Sequence, residues 1–133
     1  MPFVLDGSLT ATWALSDESS TIAQLADSRL DFDTALVPRI WWYEIRNLLV
    51  IIERRQRIAA ADSDNFIQNL SGYPIEIDQA QDERAIFRLA RQHRLSFYDA
   101  AYLELAQRQG IPLATLDKAL QAAAISAGIS LLV

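Results

Sequence analysis

Five short apolar runs, each separated from the next by residues at helical spacing, restrict this chain to a small set of folds. Such runs are typical of strands that are buried on both faces of a parallel sheet. Strands that alternate with helices pair in parallel and leave the helices to cover both faces. The sequence therefore predicts one parallel sheet between helices, built from Phe3–Leu5, Ala35–Val37, Tyr73–Ile77, Ile111–Thr115 and Ile129–Val133.

The longest predicted helix runs from Ile40 to Arg57 and is apolar on nearly every side. Trp41, Trp42 and Tyr43 follow one another in it, and consecutive helical positions point about 100° apart, so the three rings cannot all face one core. We therefore expect a homodimer, with a partner segment that covers part of this surface. Packing under a neighbouring helix of the same subunit explains any one of these rings equally well. A weaker helical pattern covers Ala59–Leu70, an amphipathic one covers Gln79–Arg94, and Lys118–Ala127 is predicted as the last helix.

The stretch from Leu95 to Leu120 reads as a helix, a strand and the start of another helix. Ser96 and Asp99 have the spacing of a capping box, and Gly110 ends the helical pattern. The apolar run that follows is too short for a helix. It is best interpreted as a buried strand that carries Asp117 just past its carboxyl end.

Composition narrows the class of protein. A length of 133 residues with 51% hydrophobic residues suits one domain, residues 1–133, with a single core. The chain has no cysteine, no apolar run long enough to span a bilayer, and no signal-peptide pattern, so we expect a cytosolic protein. A formal net charge of −5 argues against nucleic-acid binding through an overall positive field.

Arginine supplies nearly all the positive charge, with Lys118 the one lysine. The guanidinium group of arginine can donate two parallel hydrogen bonds to a phosphate, which lysine cannot do. Local arginine patches could therefore still hold a polyanion. Solvated helix faces explain the same clusters equally well. The clusters lie at positions 54, 55 and 57 and at positions 84, 88, 91 and 94.

Four acidic residues stand at positions where chemistry is expected. Asp6 and Asp117 follow strands, and ligands of such folds bind outside the carboxyl ends of the strands. Glu44 lies inside the long apolar helix, where an acid is unusual, and Asp99 lies in a first helical turn. Taken singly, three of them have simpler explanations: Asp6 as a turn residue, Asp99 as a helix-dipole residue and Asp117 as an N-cap.

Taken together, four converging carboxylates would repel one another unless they were protonated or bound a cation. A hard divalent cation such as Mg²⁺ takes oxygen ligands of this kind. Ser8 and Thr115, each two residues from a proposed ligand, could orient the carboxylates from a second layer.

The residues for other hydrolytic mechanisms are largely missing. The sequence has no cysteine nucleophile, no glycine-rich phosphate loop and no zinc-binding spacing, and His93 is its one histidine. His93 sits near the end of a predicted helix, where a surface position is favoured. Carboxylate-bound Mg²⁺ or Mn²⁺ can activate water and stabilise an in-line displacement at phosphorus, which makes phosphodiester hydrolysis the natural assignment.

Four motifs in this order, FVLDGS, WWYEIRNLL, FYDAAYLELA and LATLD, resemble a PIN domain, most closely the VapC-type toxin ribonucleases. The resemblance covers essentially the whole chain. It implies a three-layer α/β/α sandwich with a central parallel sheet and a metal-dependent endoribonuclease that acts on structured or transfer RNA. It also implies a homodimer and a small cognate antitoxin. By motif it assigns catalytic and metal-binding roles to Asp6, Glu44, Asp99 and Asp117, and supporting roles to Ser8, Asn47 and Thr115.

Two other functions fit parts of the pattern. A PIN scaffold that works mainly by protein binding, with weak or no turnover, would not need all four acids. A domain that accepts phosphate on an aspartate after a parallel strand would leave Glu44 unexplained. Metal-dependent cleavage of RNA separates the first assignment from both.

Overall fold

A computed structural model describes residues 1–15, 17–18 and 20–133 of the chain. Strands and helices alternate along most of it, as the sequence predicts. Within the described residues, none of the helices combines the length and the apolar character needed to cross a membrane. The elements are β1 Phe3–Leu5, α1 Gly7–Thr12, α2 Thr21–Arg29, β2 Ala35–Val37, α3 Ile40–Arg54, α4 Ala60–Leu70, β3 Ile75–Ile77, α5 Glu83–His93, α6 Phe97–Gln109, β4 Leu113–Ala114 and α7 Lys118–Ser126.

The sheet has four parallel strands in the order β3-β2-β1-β4. The central strand β1 pairs with β2 on one side and with β4 on the other, so Val4 lies between Leu36 and Leu113. All three residues of β1 are fully buried. This explains the continuous apolar runs, because a strand covered on both faces has no solvent side to alternate with.

The predicted fifth strand, Ile129–Val133, is wrong as a full strand. Within the described residues this segment makes one isolated parallel bridge, between Leu131 and Leu113. Two backbone hydrogen bonds of 2.9 Å hold it, from Leu113 N to Ser130 O and from Leu132 N to Leu113 O. Its partner β4 is only two residues long, so few backbone groups are available for further strand pairing.

Two predicted helix boundaries are also corrected. The helix predicted to run to Arg57 ends at Arg54, because Gln56 adopts a left-handed backbone with φ of 58°. Arg57 instead pairs with Asp17 at 2.9 Å. The helix predicted from Gln79 begins only at Glu83, after Asp82 accepts a capping hydrogen bond from Ala85 N.

Helix α6 is the most buried helix of the described chain. It packs against α5, α7 and the two strands β1 and β4. Its residues 100–106 are all buried, which includes the carboxylate-bearing Glu104. Helix α1 packs against α2 and α3. These two groups of helices enclose the sheet, which confirms the predicted three-layer α/β/α architecture.

Glu104 is a buried acid that the sequence analysis did not single out. It accepts hydrogen bonds from Arg108 Nε at 2.8 Å and from Asp82 N at 3.0 Å. Arg108 also donates to Asp78 at 2.6 Å. Hydrogen bonds with Glu104 and then Asp78 raise the pKa of Arg108 above its ordinary value. The network therefore ties the end of β3 and the start of α5 to the central helix.

Candidate active site

Asp6 is anchored at the carboxyl end of β1, where it caps the start of α1. Its Oδ1 accepts hydrogen bonds from Ser8 Oγ at 2.6 Å and from Leu9 N at 2.9 Å. Its Oδ2 accepts a hydrogen bond from Thr115 Oγ1 at 2.6 Å. The side chain is only 4% exposed. Because a carboxylate has about four acceptor positions, these three bonds fix its orientation and leave little freedom to rotate.

Thr115 links Asp6 to Asp117 across the junction of β1 and β4. Its hydroxyl donates to Asp6 and accepts a hydrogen bond from Asp117 N at 3.0 Å. Asp117 in turn caps α7 by accepting from Leu120 N at 2.9 Å. Parallel pairing of β1 with β4 brings their carboxyl ends to one edge of the sheet. The two strand-end acids therefore share this edge through one threonine.

Glu44 reaches the same region from α3. Its Oε1 accepts a hydrogen bond from the Tyr102 hydroxyl at 2.7 Å. Burial raises the pKa of Glu44, the Tyr102 hydrogen bond opposes this, and the charges of Asp6 and Asp99 raise the pKa further. The Glu44 carboxylate therefore lies within electrostatic reach of both acids.

Gly7 makes room for the Glu44 carboxylate. A Cβ atom at position 7 would lie 2.0 Å from Glu44 Oε1 and 2.7 Å from its Cδ, much closer than atoms can approach. Position 7 begins α1, directly after Asp6. The absence of a side chain there lets the carboxylate lie against the first turn of α1.

Asp99 is the third residue of α6 and is partly buried. The hydroxyl of Ser96 accepts a hydrogen bond from Asp99 N at 3.0 Å and so caps the helix. Burial is the main cause that raises the pKa of the Asp99 carboxyl, followed by the charges of Asp117 and Asp6. Asp99 is thus electrostatically coupled to both strand-end acids.

The four acids predicted from the sequence therefore lie in one region, where the charges of the neighbouring acids add to burial in raising the pKa values of Glu44 and Asp99. Within the described residues, however, no three acidic or histidine side chains converge closely enough to form a ready-made metal site.

Asn47, one turn after Glu44, is exposed on α3. His93 ends α5 and is more buried than expected, since its Nε2 is buried and has no hydrogen-bond partner among the described residues.

Tyr102 and Gly7 are the two residues of this site that the sequence analysis missed. Tyr102 is 1% exposed, and burial followed by the Glu44 charge raises the pKa of its hydroxyl far above the ordinary value. The hydroxyl therefore keeps its proton and remains a donor to Glu44. Its position, three residues after Asp99 on the same helix, is the signal that could have identified it.

The fold and this acidic edge define a class, namely three-layer α/β/α domains with carboxylates gathered at the carboxyl ends of the central parallel strands. The chain belongs to the PIN domain family, whose model matches residues 4–126. It is 30% identical over 127 residues to Ribonuclease VapC3 of Pyrobaculum aerophilum, across 90% of this chain and 92% of that protein. The resemblance carried by the four sequence motifs is confirmed.

Solved structures agree on the fold. The crystal structure of PAE2754 from Pyrobaculum aerophilum has a TM-score of 0.73 at 21% identity, covering 92% of this chain and 84% of that one. The crystal structure of VapC20 from Mycobacterium tuberculosis, described as a sarcin-ricin loop cleaving toxin, has a TM-score of 0.62 at 13% identity. That similarity covers 91% of this chain and 94% of VapC20. At these identities the two structures support the fold alone.

Proposed function

We propose that residues 1–133 form a single PIN domain that acts as a Mg²⁺- or Mn²⁺-dependent endoribonuclease, the toxin of a toxin-antitoxin pair. The observation that carries the proposal is the gathering of the four acids at one edge of the sheet. Thr115 joins Asp6 to Asp117 through two hydrogen bonds, and the Glu44 carboxylate lies against Gly7, directly after Asp6. The charges of Asp117 and Asp6 also act on Asp99. Similarity to a protein named Ribonuclease VapC3 over most of the chain supports RNA as the substrate class.

The residues at this edge suit a hard divalent cation. All four candidate ligands are carboxylates, the oxygen donors that Mg²⁺ and Mn²⁺ prefer. Burial, and after it the neighbouring negative charges, raise the pKa values of Glu44 and Asp99, so the site resists full ionisation without a counter-charge. A divalent cation held by Asp6, Glu44, Asp99 and Asp117 would offset that repulsion.

When bound, the cation would supply Lewis acidity toward the scissile phosphate and toward the attacking water. The chain's own residues have positioning roles. Ser8 and Thr115 hold the Asp6 carboxylate in one orientation, and Tyr102 does the same for Glu44. Such preorganisation matters because small displacements of catalytic groups slow a reaction strongly.

Cleavage should require a divalent cation and should leave a 5′-phosphate and a 3′-hydroxyl. Attack by water needs no 2′-hydroxyl nucleophile, and His93 alone cannot form an acid and base pair. Purified protein should be incubated with total cellular RNA in Mg²⁺, in Mn²⁺ and in chelator, and the ends of the fragments mapped.

Full cleavage in chelator, or cyclic-phosphate ends, would exclude this mechanism. A purified protein that cleaves no RNA in either metal would favour the scaffold alternative, in which the domain works mainly by protein binding. An Asp6→Asn preparation, purified in the same way, controls for contaminating ribonucleases.

The proposed partners are RNA, a small cognate antitoxin and a second copy of the chain, with cytoplasmic RNA as the target.

The dimer face would be a stripe on α3 formed by Trp42, Arg46 and Val50, which recur at intervals of one turn. Trp42 is 42% exposed and Val50 is 41% exposed, whereas Trp41 is buried. Arg46 lies 3.7 Å from the centre of the Trp42 ring. Large apolar side chains left open in this way favour association.

Light scattering should therefore give a mass near twice 14.9 kDa at micromolar concentration. Replacing Trp42 by Ser should shift the protein toward monomer, because the exposed ring supplies much of the apolar contact area. Phe32→Ser is a matched control, since Phe32 is 73% exposed on another part of the surface and should leave the mass unchanged. A parent protein that is a clean monomer would contradict the dimer.

A further inference from the structure

We propose that a continuous surface from α5 to the start of α6 binds single-stranded RNA and stacks one unpaired base beside the acidic edge. This inference rests on the proposed function and specifies the form of its substrate. We call the surface the RNA track and define it by Phe87, Arg88, Arg91, Phe97, Tyr98 and Tyr43.

One end of the track is a cavity of about 230 Å³ between the start of α3 and the start of α6. Aromatic side chains of Tyr43, Phe97 and Tyr98 line it, together with Arg39. Tyr43 directly precedes Glu44, and Tyr98 directly precedes Asp99, so the cavity and the two acids share the helices α3 and α6. The Cα atoms of each pair are about 3.8 Å apart. A base in this cavity would hold the adjoining phosphate next to the carboxylates.

The track continues from the cavity onto α5 through two touching rings. The Phe87 and Phe97 rings are 4.9 Å apart in an edge-to-face arrangement, and the Arg91 guanidinium lies 5.1 Å from the Phe87 ring centre. Phe87 is 43% exposed and Phe97 is 38% exposed. Large rings left open to solvent in a row are unusual for a surface without a ligand.

Arginines with no acidic partner in the described part of the chain flank these rings. Arg84, Arg88 and Arg91 recur at helical spacing on the exposed side of α5. None of the three forms an ion pair with another described residue, whereas Arg29, Arg57 and Arg108 all do. Guanidinium groups that are not neutralised by the protein remain available to phosphates.

The acidic character of the whole chain explains why such a surface would be needed. A net charge of −5 opposes a polyanion, so long-range attraction cannot supply the affinity. Stacking on aromatic rings does not depend on charge, and it requires bases that are free of a duplex. Aromatic rings interleaved with unpaired arginines therefore favour single-stranded RNA over a duplex.

The test measures RNA binding in the Asp6→Asn background, with Mg²⁺ present, so that cleavage does not consume the probe. The probe is a fluorescent single-stranded RNA of random sequence, about 12 nucleotides long, within the range that one site covers. Tyr98→Ala should weaken binding about tenfold, and Tyr98→Phe should restore it, because the stacking ring is retained. Arg88→Gln should weaken binding. It should also reduce the slope of the logarithm of affinity against the logarithm of salt concentration by about one.

Two control variants match the chemistry of the track at other places. Phe32→Ala removes an exposed ring that also has an arginine near it, at 5.8 Å, but on α2 and its following turn. Arg55→Gln removes an exposed arginine at the end of α3. Both variants should bind the probe like the background protein.

Three results would overturn the inference. If the parent cleaves RNA but Tyr98→Ala and Arg88→Gln bind the probe normally, the track is wrong while the proposed function stands. If the parent neither cleaves nor binds any RNA, the proposed function fails and the track fails with it. If Tyr98→Ala becomes monomeric by light scattering while the background protein is a dimer, the surface belongs to a second copy of the chain.

Discussion

Replacing Asp99 by Asn should abolish RNA cleavage and leave the metal-free protein at least as stable as the parent. Asn keeps the shape of the side chain, and the Ser96 hydroxyl can still accept the capping hydrogen bond from the backbone N of residue 99. The cation, however, would lose a charged oxygen ligand, so we expect activity to fall more than about a hundredfold. Activity and stability should then change in opposite directions.

The contribution of Asp99 to folding stability should change with pH in a definite direction. Burial and neighbouring acids raise the pKa of Asp99 above its ordinary 3.8, so the folded protein binds this proton more tightly than the unfolded chain does. The associated stability is present below pH 3.8 and is lost as pH rises through the raised pKa. At neutral pH in chelator the ionised carboxylate therefore destabilises the fold, and Asn removes that cost.

Thermal melting with chelator and with Mg²⁺ measures both effects. The parent should gain on the order of 2.7 kcal/mol when free metal is 100-fold above its dissociation constant, and Asp99→Asn should gain less. Asp62→Asn is a matched control, because Asp62 is likewise the third residue of its helix but is exposed. If Asp99→Asn melts well below the parent in chelator and still cleaves RNA, Asp99 is a capping residue and the site is wrongly assigned.

Replacing Gly7 by Ala should lower cleavage about a hundredfold, the cost of misplacing a catalytic group by about an ångström. The new Cβ would lie 2.0 Å from Glu44 Oε1, so the carboxylate must move away. The carboxylate sits at the far end of a flexible side chain and can move without unfolding the protein. Its movement leaves the buried Tyr102 hydroxyl without its acceptor, which costs about 1–3 kcal/mol of stability.

A double-mutant cycle shows whether the effect of Gly7→Ala acts through Glu44. Glu44→Gln alone should also impair cleavage, and adding Gly7→Ala to it should reduce activity little further. Gly72→Ala provides the control, because a Cβ at position 72 meets only Asn69 O, at 3.4 Å. Additive losses in the double variant would show that Gly7 acts independently of Glu44.

The sequence was sufficient to predict four strands of the sheet and the positions of Asp6 and Asp117 after two of them, because both follow from local patterns. Short continuous apolar runs mark buried parallel strands, and the carboxyl ends of such strands share one edge. Asp6 and Asp117 could therefore be placed together from local sequence patterns alone. Glu44 stood out because an acid inside an apolar helix needs a reason to be there.

Residues that act through tertiary packing could not be predicted in this way. Tyr102 recurs with apolar residues at helical spacing in the sequence, and only the approach of α3 to α6 makes its hydroxyl a donor to Glu44. Gly7 follows an aspartate, which is the usual pattern of a turn, and its close contact with Glu44 depends on the packing of α1 against α3. Glu104 and Arg108 have the spacing of an exposed pair, yet the glutamate is buried.

Titration with Mn²⁺, followed by electron paramagnetic resonance of the free ion, tests most directly whether the acidic edge is a cation site. The parent should bind Mn²⁺ saturably, Mg²⁺ should compete for the same site, and Asp6→Asn and Asp99→Asn should each weaken binding strongly. Asp62→Asn should bind like the parent. A parent protein that binds no Mn²⁺, or single variants that bind it as tightly as the parent, would contradict the assignment of these carboxylates.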